Sequence, residues 1–140
     1  NVQENCTIHV FPGKDVVLKE SSHIGHGAVI HGATIEPNCL IGMNAVIMDD
    51  SIIGKESIVG ALTFVKQGTI VPERSVFVGN PGRLVKSVSD EMLGWKTEGT
   101  SWYKSLPESF KNGLIKCDPV SEGDTNRARK KGGFEPLKTK

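Results

Sequence analysis

A six-residue repeat of aliphatic side chains is the feature that most restricts the fold of this chain. It comprises Ile24, Ile30, Ile35, Ile41, Ile47, Ile53, Val59, Val65 and Val71, and Phe77 closes it. The step is six residues except for one step of five, between Ile30 and Ile35. Neither an amphipathic helix nor a simple alternating strand has this period. It is typical of a β-solenoid in which each coil has three short faces and each face is one hexapeptide.

Small side chains follow most of these aliphatic residues at a fixed distance of four positions. They are Ala28, Cys39, Ala45, Ser51, Ser57, Thr63, Thr69 and Ser75. We expect the aliphatic residues to fill the core and the small ones to fit its tight corners. Glycines directly after an aliphatic residue, such as Gly42 and Gly54, would relieve crowding at the turns. Because Cys6 and Cys39 fall on interior small positions, metal or disulfide roles are not expected for them.

The repeat extends towards the start of the chain if the segment "VFPGKDVV" forms a short loop between Ile8 and Leu18. We therefore predict an all-β solenoid, a parallel β-helix, over residues 1–86. The segment "SDEMLGWKTEGTSWYKSL" predicts an α-helix within 87–115, capped by Ser89. Its apolar stripe, expected to pack on the solenoid, comprises Met92, Trp95, Trp102 and Leu106. Residues 116–140 predict an extended or disordered tail.

Composition narrows the possible partners and location. A net charge of +1 over 140 residues offers no general electrostatic reason to bind nucleic acid or a membrane, and the "RARKK" run fits a solvated tail. The chain has no apolar run that could span a bilayer, and its three cysteines are an odd, widely spaced set. These features favour a cytoplasmic protein. Because the chain begins with asparagine, we expect that coils upstream of it are missing.

The hexapeptide register places three histidines where they could contribute to one site. His9 and His31 each directly follow an aliphatic residue, and one coil plus the loop separates them, so they should stack about 4.8 Å apart. His26 lies on the preceding face, where a neighbouring subunit around a threefold axis could reach it. Each histidine alone also fits a half-exposed polar position. Together the three predict a metal site with an open fourth position, whereas His23 is interpreted as structural.

The segments "NVQENCTIHV", "HIGHGAVIHG", "IGMNAVIMDD" and "SIIGKESIVGA" resemble the γ-class carbonic anhydrase family, and most closely its branch that holds the phenylacetate-degradation and carnitine-operon proteins PaaY and CaiE. The resemblance implies a left-handed β-helix and a homotrimer with zinc, or another divalent metal such as Fe²⁺ or Co²⁺, at the subunit interfaces. It implies His9, His26 and His31 as ligands. Gln3 and Glu4 would line the site as catalytic residues, with glutamate replacing the family's aspartate. No residue is assigned to an organic cofactor.

Several functions are consistent with such a site. Zinc-bound hydroxide could hydrate carbon dioxide to bicarbonate, with Gln3 orienting the nucleophile and Glu4 helping to move the proton. The same hydroxide could instead hydrolyse an acyl-CoA thioester. The "GNPGR" segment resembles the coenzyme A loop of hexapeptide acyltransferases, which is a third possibility. The short loop after His9, with only Lys14, Asp15 and Glu20 nearby, leaves open a fourth, a metal-stabilised trimeric scaffold with little turnover.

Overall fold

The computed structural model describes residues 1–116, which form a parallel β-solenoid followed by one α-helix. The elements are β1 (Thr7–His9), β2 (Val17–Leu18), β3 (His23–Ile24), β4 (Val29–His31), β5 (Thr34–Ile35), β6 (Leu40–Ile41), β7 (Val46–Ile47), β8 (Ile52–Ile53), β9 (Ile58–Val59), β10 (Phe64–Val65), β11 (Ile70–Val71), β12 (Ser75–Gly79), β13 (Gly82–Ser87) and α1 (Asp90–Gly113). The predicted tail lies outside the described residues except for Lys116.

Each coil contributes one short strand to each of three sheets. We call them sheet A (β3, β6, β9, β12 and β13), sheet B (β1, β4, β7 and β10) and sheet C (β2, β5, β8 and β11). Strands one coil apart pair in parallel, with Ile24 opposite Ile41 and Ile35 opposite Ile53. Strand β13 runs antiparallel to β12 and forms a hairpin with it. The hexapeptide prediction is confirmed, because each aliphatic position lies beside its equivalent in the next coil.

The core consists of the predicted aliphatic column and the small residues between its members. The aliphatic residues from Ile24 to Val71 are 0–1% exposed, and Ala28, Cys39, Ala45, Ser51 and Ser57 are fully buried. The buried hydroxyls are hydrogen-bonded, since the Ser51 Oγ donates to the Lys66 carbonyl at 2.9 Å. A small residue with a hydroxyl therefore fits the corner and also pairs a backbone carbonyl that would otherwise be unsatisfied.

The turns depend on a backbone position that the sequence analysis did not identify. The third residue after most aliphatic positions has a left-handed conformation, with φ between 52° and 70°. Examples are Asn38, Asn44, Asp50, Leu62 and Gly68. Asparagine, aspartate and glycine tolerate this region, whereas a branched residue such as leucine is strained there. The solenoid thus imposes the corner geometry even where the residue disfavours it.

The glycines directly after the aliphatic residues have a different role, because the absence of a side chain lets the backbones of successive coils approach each other closely. A Cβ built on Gly42 would lie 2.3 Å from the Ala61 backbone nitrogen, and one on Gly54 would lie 2.5 Å from the Glu73 nitrogen. Real Cβ atoms do not approach backbone so closely. The predicted relief of crowding is confirmed for these two glycines.

We expect Gly42→Ala to destabilise the solenoid by about 1–3 kcal/mol or more, because the backbone of the next coil cannot move away alone. Gly94→Ala is the matched control. Gly94 lies in α1 with open space around its Cβ position, so alanine should instead stabilise by about 0.5–1 kcal/mol. Urea unfolding measures both. Equal midpoints for Gly42→Ala and the parent chain would contradict the contact between coils.

Helix α1 begins as predicted, with the Ser89 Oγ accepting from the Met92 N–H at 3.2 Å. The predicted packing stripe is only partly confirmed, because Met92, Trp95 and Leu106 are half-buried and none of its four residues is fully buried. The buried helix residues are Lys96, Gly99 and Thr100, while Trp102 is 37% exposed. The Lys96 ammonium donates to the Ser21 carbonyl at 2.8 Å and to the Asn38 side-chain oxygen at 2.6 Å. Such specific partners compensate the burial of a charge, and hydrophobic periodicity cannot reveal them.

Burial of Lys96 also changes its acid–base behaviour. Loss of solvent lowers the pKa of its ammonium to about 8. The helix is therefore attached to the solenoid through polar contacts at a corner formed by Ser21 and Asn38, next to β3 and β6. Within residues 1–116, no helix combines the length and apolar character needed to cross a bilayer.

Candidate metal centre

His9 and His31 lie side by side on sheet B. They occupy paired positions of β1 and β4, their ring centroids are 5.1 Å apart, and the His9 Nδ1 lies 3.0 Å from the His31 Nε2. Two nitrogens on one tetrahedral zinc ion lie about 3.3 Å apart. The column prediction is confirmed for this pair, whose nitrogens are within hydrogen-bond distance and close to the spacing of two ligands of one ion.

Asp49 is a part of this site that the sequence analysis missed. Its Oδ2 accepts from the His31 Nδ1 at 2.8 Å, and its side chain is only 7% exposed. A carboxylate holds the proton on Nδ1 and so leaves the Nε2 lone pair free towards His9. The only sequence signal was the acidic pair in "MDD", about one coil after "IHG".

The space for Asp49 depends on Gly32. A Cβ at that position would lie 2.4 Å from the Asp49 Oδ1, and the φ of Gly32 is +57°. The Oδ1 is buried and has no hydrogen-bond partner within the described residues. A buried carboxylate with one unpaired oxygen adds negative charge behind His31, which suits a site for a cation.

His26 lies at the corner between β3 and β4, away from the His9 and His31 pair. Its Nδ1 is 2.9 Å from the Glu4 Oε2, and its backbone N–H donates to the Gln3 Oε1 at 3.0 Å. The predicted neighbours Gln3 and Glu4 therefore meet His26. Because Glu4 occupies Nδ1, the Nε2 of His26 is the nitrogen available to a ligand, and the side chain is 48% exposed.

The three predicted ligands do not meet within one chain. Among residues 1–116, no group of three or more His, Cys, Asp or Glu side chains is arranged to hold a metal ion. This agrees with the expectation that a single subunit keeps His26 apart from His9 and His31.

The loop after His9 is bound away from the histidine pair. The Lys14 ammonium lies 2.5 Å and 2.6 Å from the two carboxylate oxygens of Asp50, and this hydrogen bonding lowers the pKa of that carboxyl. Phe11, at the start of the loop, contacts the His31 ring edge-on at a centroid distance of 5.0 Å. Lys14 is thus engaged elsewhere, and an apolar ring borders the pair instead.

A cavity of about 270 Å³ lies between sheet A and α1. Its lining includes Gln3, His23, Met43, Ala61, Trp95 and Tyr103. Most of this lining is apolar, and the amide of Gln3 is one of its few polar groups. Gln3 therefore links the cavity to the corner that carries His26.

The coiled architecture defines the chain as a hexapeptide-repeat protein. The family described as "Bacterial transferase hexapeptide (six repeats)" matches residues 32–67. The chain is 41% identical over 132 residues to the carnitine operon protein CaiE of Salmonella agona, covering 94% of this chain and 67% of that protein. For CaiE of Citrobacter koseri the identity is 43% over 135 residues, covering 96% and 68%. The chain belongs to the CaiE family, and it spans about two thirds of the length of these relatives.

Solved structures agree on the fold. A hexapeptide transferase family protein from Anaplasma phagocytophilum superposes with a TM-score of 0.74 at 24% identity, covering 79% of this chain and 64% of that one. A Bacillus cereus protein described as an acetyltransferase gives a TM-score of 0.61 at 29% identity, covering 72% and 63%. This likeness to a transferase family indicates an enzyme.

Proposed function

We propose that this protein is a zinc-dependent enzyme of the γ-carbonic anhydrase type, which hydrates carbon dioxide as a homotrimer. In each site, His9 and His31 would come from one subunit and His26 from the next. The observation that carries the proposal is that His31 and His26 both place Nδ1 against a carboxylate. A carboxylate that holds the Nδ1 of an imidazole in this way typically accompanies a histidine that binds zinc through Nε2.

The donor set fits zinc better than a harder cation. Three neutral imidazoles leave one tetrahedral position open, and a zinc ion bound there would supply a water molecule acidic enough to form hydroxide near neutral pH. The same nitrogens would also accept Fe²⁺ or Co²⁺. Asp49 keeps the proton of His31 on Nδ1, so that its other nitrogen stays available to the metal.

Gln3 and Glu4 act on the His26 side of the proposed site. Gln3 anchors the His26 backbone through its carbonyl oxygen, and its amide nitrogen, which contacts His23, still has one N–H to offer. Glu4 holds the His26 ring and is 79% exposed. An exposed carboxylate beside the site can accept the released proton and pass it to solvent.

Acyl-group chemistry is the second candidate. The likeness to a protein described as an acetyltransferase and the largely apolar cavity beside Gln3 favour it over a bare scaffold. In this alternative the site would hydrolyse an acyl-CoA thioester or transfer its acyl group. Carbon dioxide needs no cavity of about 270 Å³, whereas an acyl chain could occupy one.

The experiment compares metal content with three activities. Zinc per chain, carbon dioxide hydration, thiol release from acyl-CoA and acetyl transfer are measured before chelation, after chelation and after zinc is restored. We expect about one zinc per chain and hydration that follows the zinc content. Thiol release or acetyl transfer without hydration would support acyl chemistry instead. Stable trimers without metal or activity would support the scaffold and overturn the enzymatic proposal.

A further inference from the structure

His23 has a more specific environment than its structural interpretation predicted. It lies in β3 beneath α1 and is 8% exposed. Its Nε2 is 3.1 Å from the Gln3 Nε2, and its Nδ1 is 3.2 Å from the Thr100 Oγ1. The Tyr103 ring contacts its edge at a centroid distance of 4.9 Å. Both ring nitrogens are therefore engaged, one towards the candidate site and one towards the helix.

The chemistry of these partners determines the tautomer. An amide nitrogen can only donate a hydrogen bond, so the His23 Nε2 must accept from Gln3. A neutral imidazole that accepts at Nε2 carries its proton on Nδ1, which then donates to the Thr100 hydroxyl. Burial, and next the charge of Lys96, lower the pKa of His23 to about 4, so the ring is neutral near pH 7.

The His26 N–H, which can only donate, and this tautomer together allow only one orientation of the Gln3 amide. As it lies, the Gln3 Oε1 accepts from the His26 N–H while its Nε2 donates to His23. Rotating the amide by half a turn would place its oxygen against the His23 lone pair and its N–H against the His26 N–H. Both contacts would be repulsive, and buried unpaired groups are costly.

We propose that His23 is a positioning residue that, together with the His26 N–H, fixes the orientation of the Gln3 amide, and that Thr100 of α1 holds the His23 ring in place. The effect on catalysis rests on the proposed function, because it matters only if Gln3 contacts the substrate. The N–H that Gln3 does not use for His23 is then held in a fixed direction beside the site, where it can donate to a substrate oxygen. The helix thereby contributes to the site without touching it.

The first test needs neither metal nor activity. Long-range ¹H–¹⁵N correlation of histidine-labelled protein at about pH 7 reports the tautomer of each neutral ring. We expect His23 to carry its proton on Nδ1. A ring protonated on Nε2 would overturn the proposal, whatever the protein catalyses.

The second test uses Thr100→Val, which keeps the shape of the side chain and removes the acceptor of the His23 proton. We expect kcat for the activity found to fall about five- to tenfold, with zinc content unchanged and His23 still protonated on Nδ1, because Gln3 still donates to its Nε2. Thr100→Ser, which keeps the hydroxyl, should retain the kcat of the parent chain. Thr97→Val is the matched control, because the Thr97 hydroxyl on the same helix binds Asn38 and not His23.

The outcomes separate the two proposals. His23 protonated on Nδ1, in a protein without activity, would support the positioning role and overturn the proposed function. In an active protein, an unchanged kcat in a folded Thr100→Val variant would overturn the role of Thr100 in positioning His23. Equal losses of activity in Thr97→Val and Thr100→Val would also overturn it, since the effect would then be general to the helix.

Discussion

Replacing Ser57 with leucine is expected to lower the melting temperature of the solenoid by about 10 °C or more. Ser57 is 0% exposed, so a leucine side chain has no space without displacing the coils, at about 1–3 kcal/mol. The hydroxyl also donates to the Pro72 carbonyl at 2.8 Å and accepts from the Ser75 N–H at 3.1 Å. Leucine leaves both groups buried and unpaired, which adds about 1–3 kcal/mol for each.

Two controls separate these costs. Ser57→Ala removes the hydrogen bonds without adding volume, so we expect a smaller loss of stability than for leucine. Ser101→Leu places the same side chain on an exposed part of α1, where surface substitutions usually change stability by less than about 0.5 kcal/mol. Thermal unfolding followed by circular dichroism measures all three. A melting temperature unchanged in Ser57→Leu would show that the interior register is wrong.

Two ligand variants are expected to complement each other if the site is shared between subunits. A homotrimer of His26→Ala and a homotrimer of His31→Ala each lose one ligand from every proposed site, so each should bind zinc weakly. In a mixed trimer, one interface joins an intact His9 and His31 pair to an intact His26. Random assembly of equal amounts leaves about a quarter of the sites complete.

Metal content and activity of the refolded mixture test this expectation. We expect about a quarter of the zinc and the activity of the unaltered protein. Mixing His9→Ala with His31→Ala is the matched control, because both ligands lie on the same sheet of one chain, 3.0 Å apart, and no mixed interface regains both. Recovery in neither mixture, with mixed trimers present, would exclude the interfacial assignment of His26. Equal recovery in both mixtures would exclude it as well.

The solenoid could be predicted in detail because the aliphatic and small residues that form its core recur at a fixed spacing. Every coil repeats the same burial, so the positions of Ile24 and Ser57 follow from spacing alone and agree with the structure. The stacking of His9 on His31 follows from the same register. The helix could be located by its cap, but its buried face could not, because Lys96 is stabilised there by the Ser21 carbonyl and Asn38. Those partners are far from Lys96 in the sequence, and no periodic pattern links them to it.

The sequence by itself determined the repeat, the core, the cap of α1 and the residues from which a metal site could be built. The tertiary structure alone decided which polar groups meet across coils and across the helix. Asp49 reaches His31 because Gly32 leaves space for it, and Thr100 reaches His23 because α1 packs on sheet A. Burial of an apolar side chain depends on that side chain's own hydrophobicity, so the pattern of burial follows the period of the sequence. A hydrogen bond depends on the direction and chemistry of two partners, which are defined only when the coils and the helix are in place.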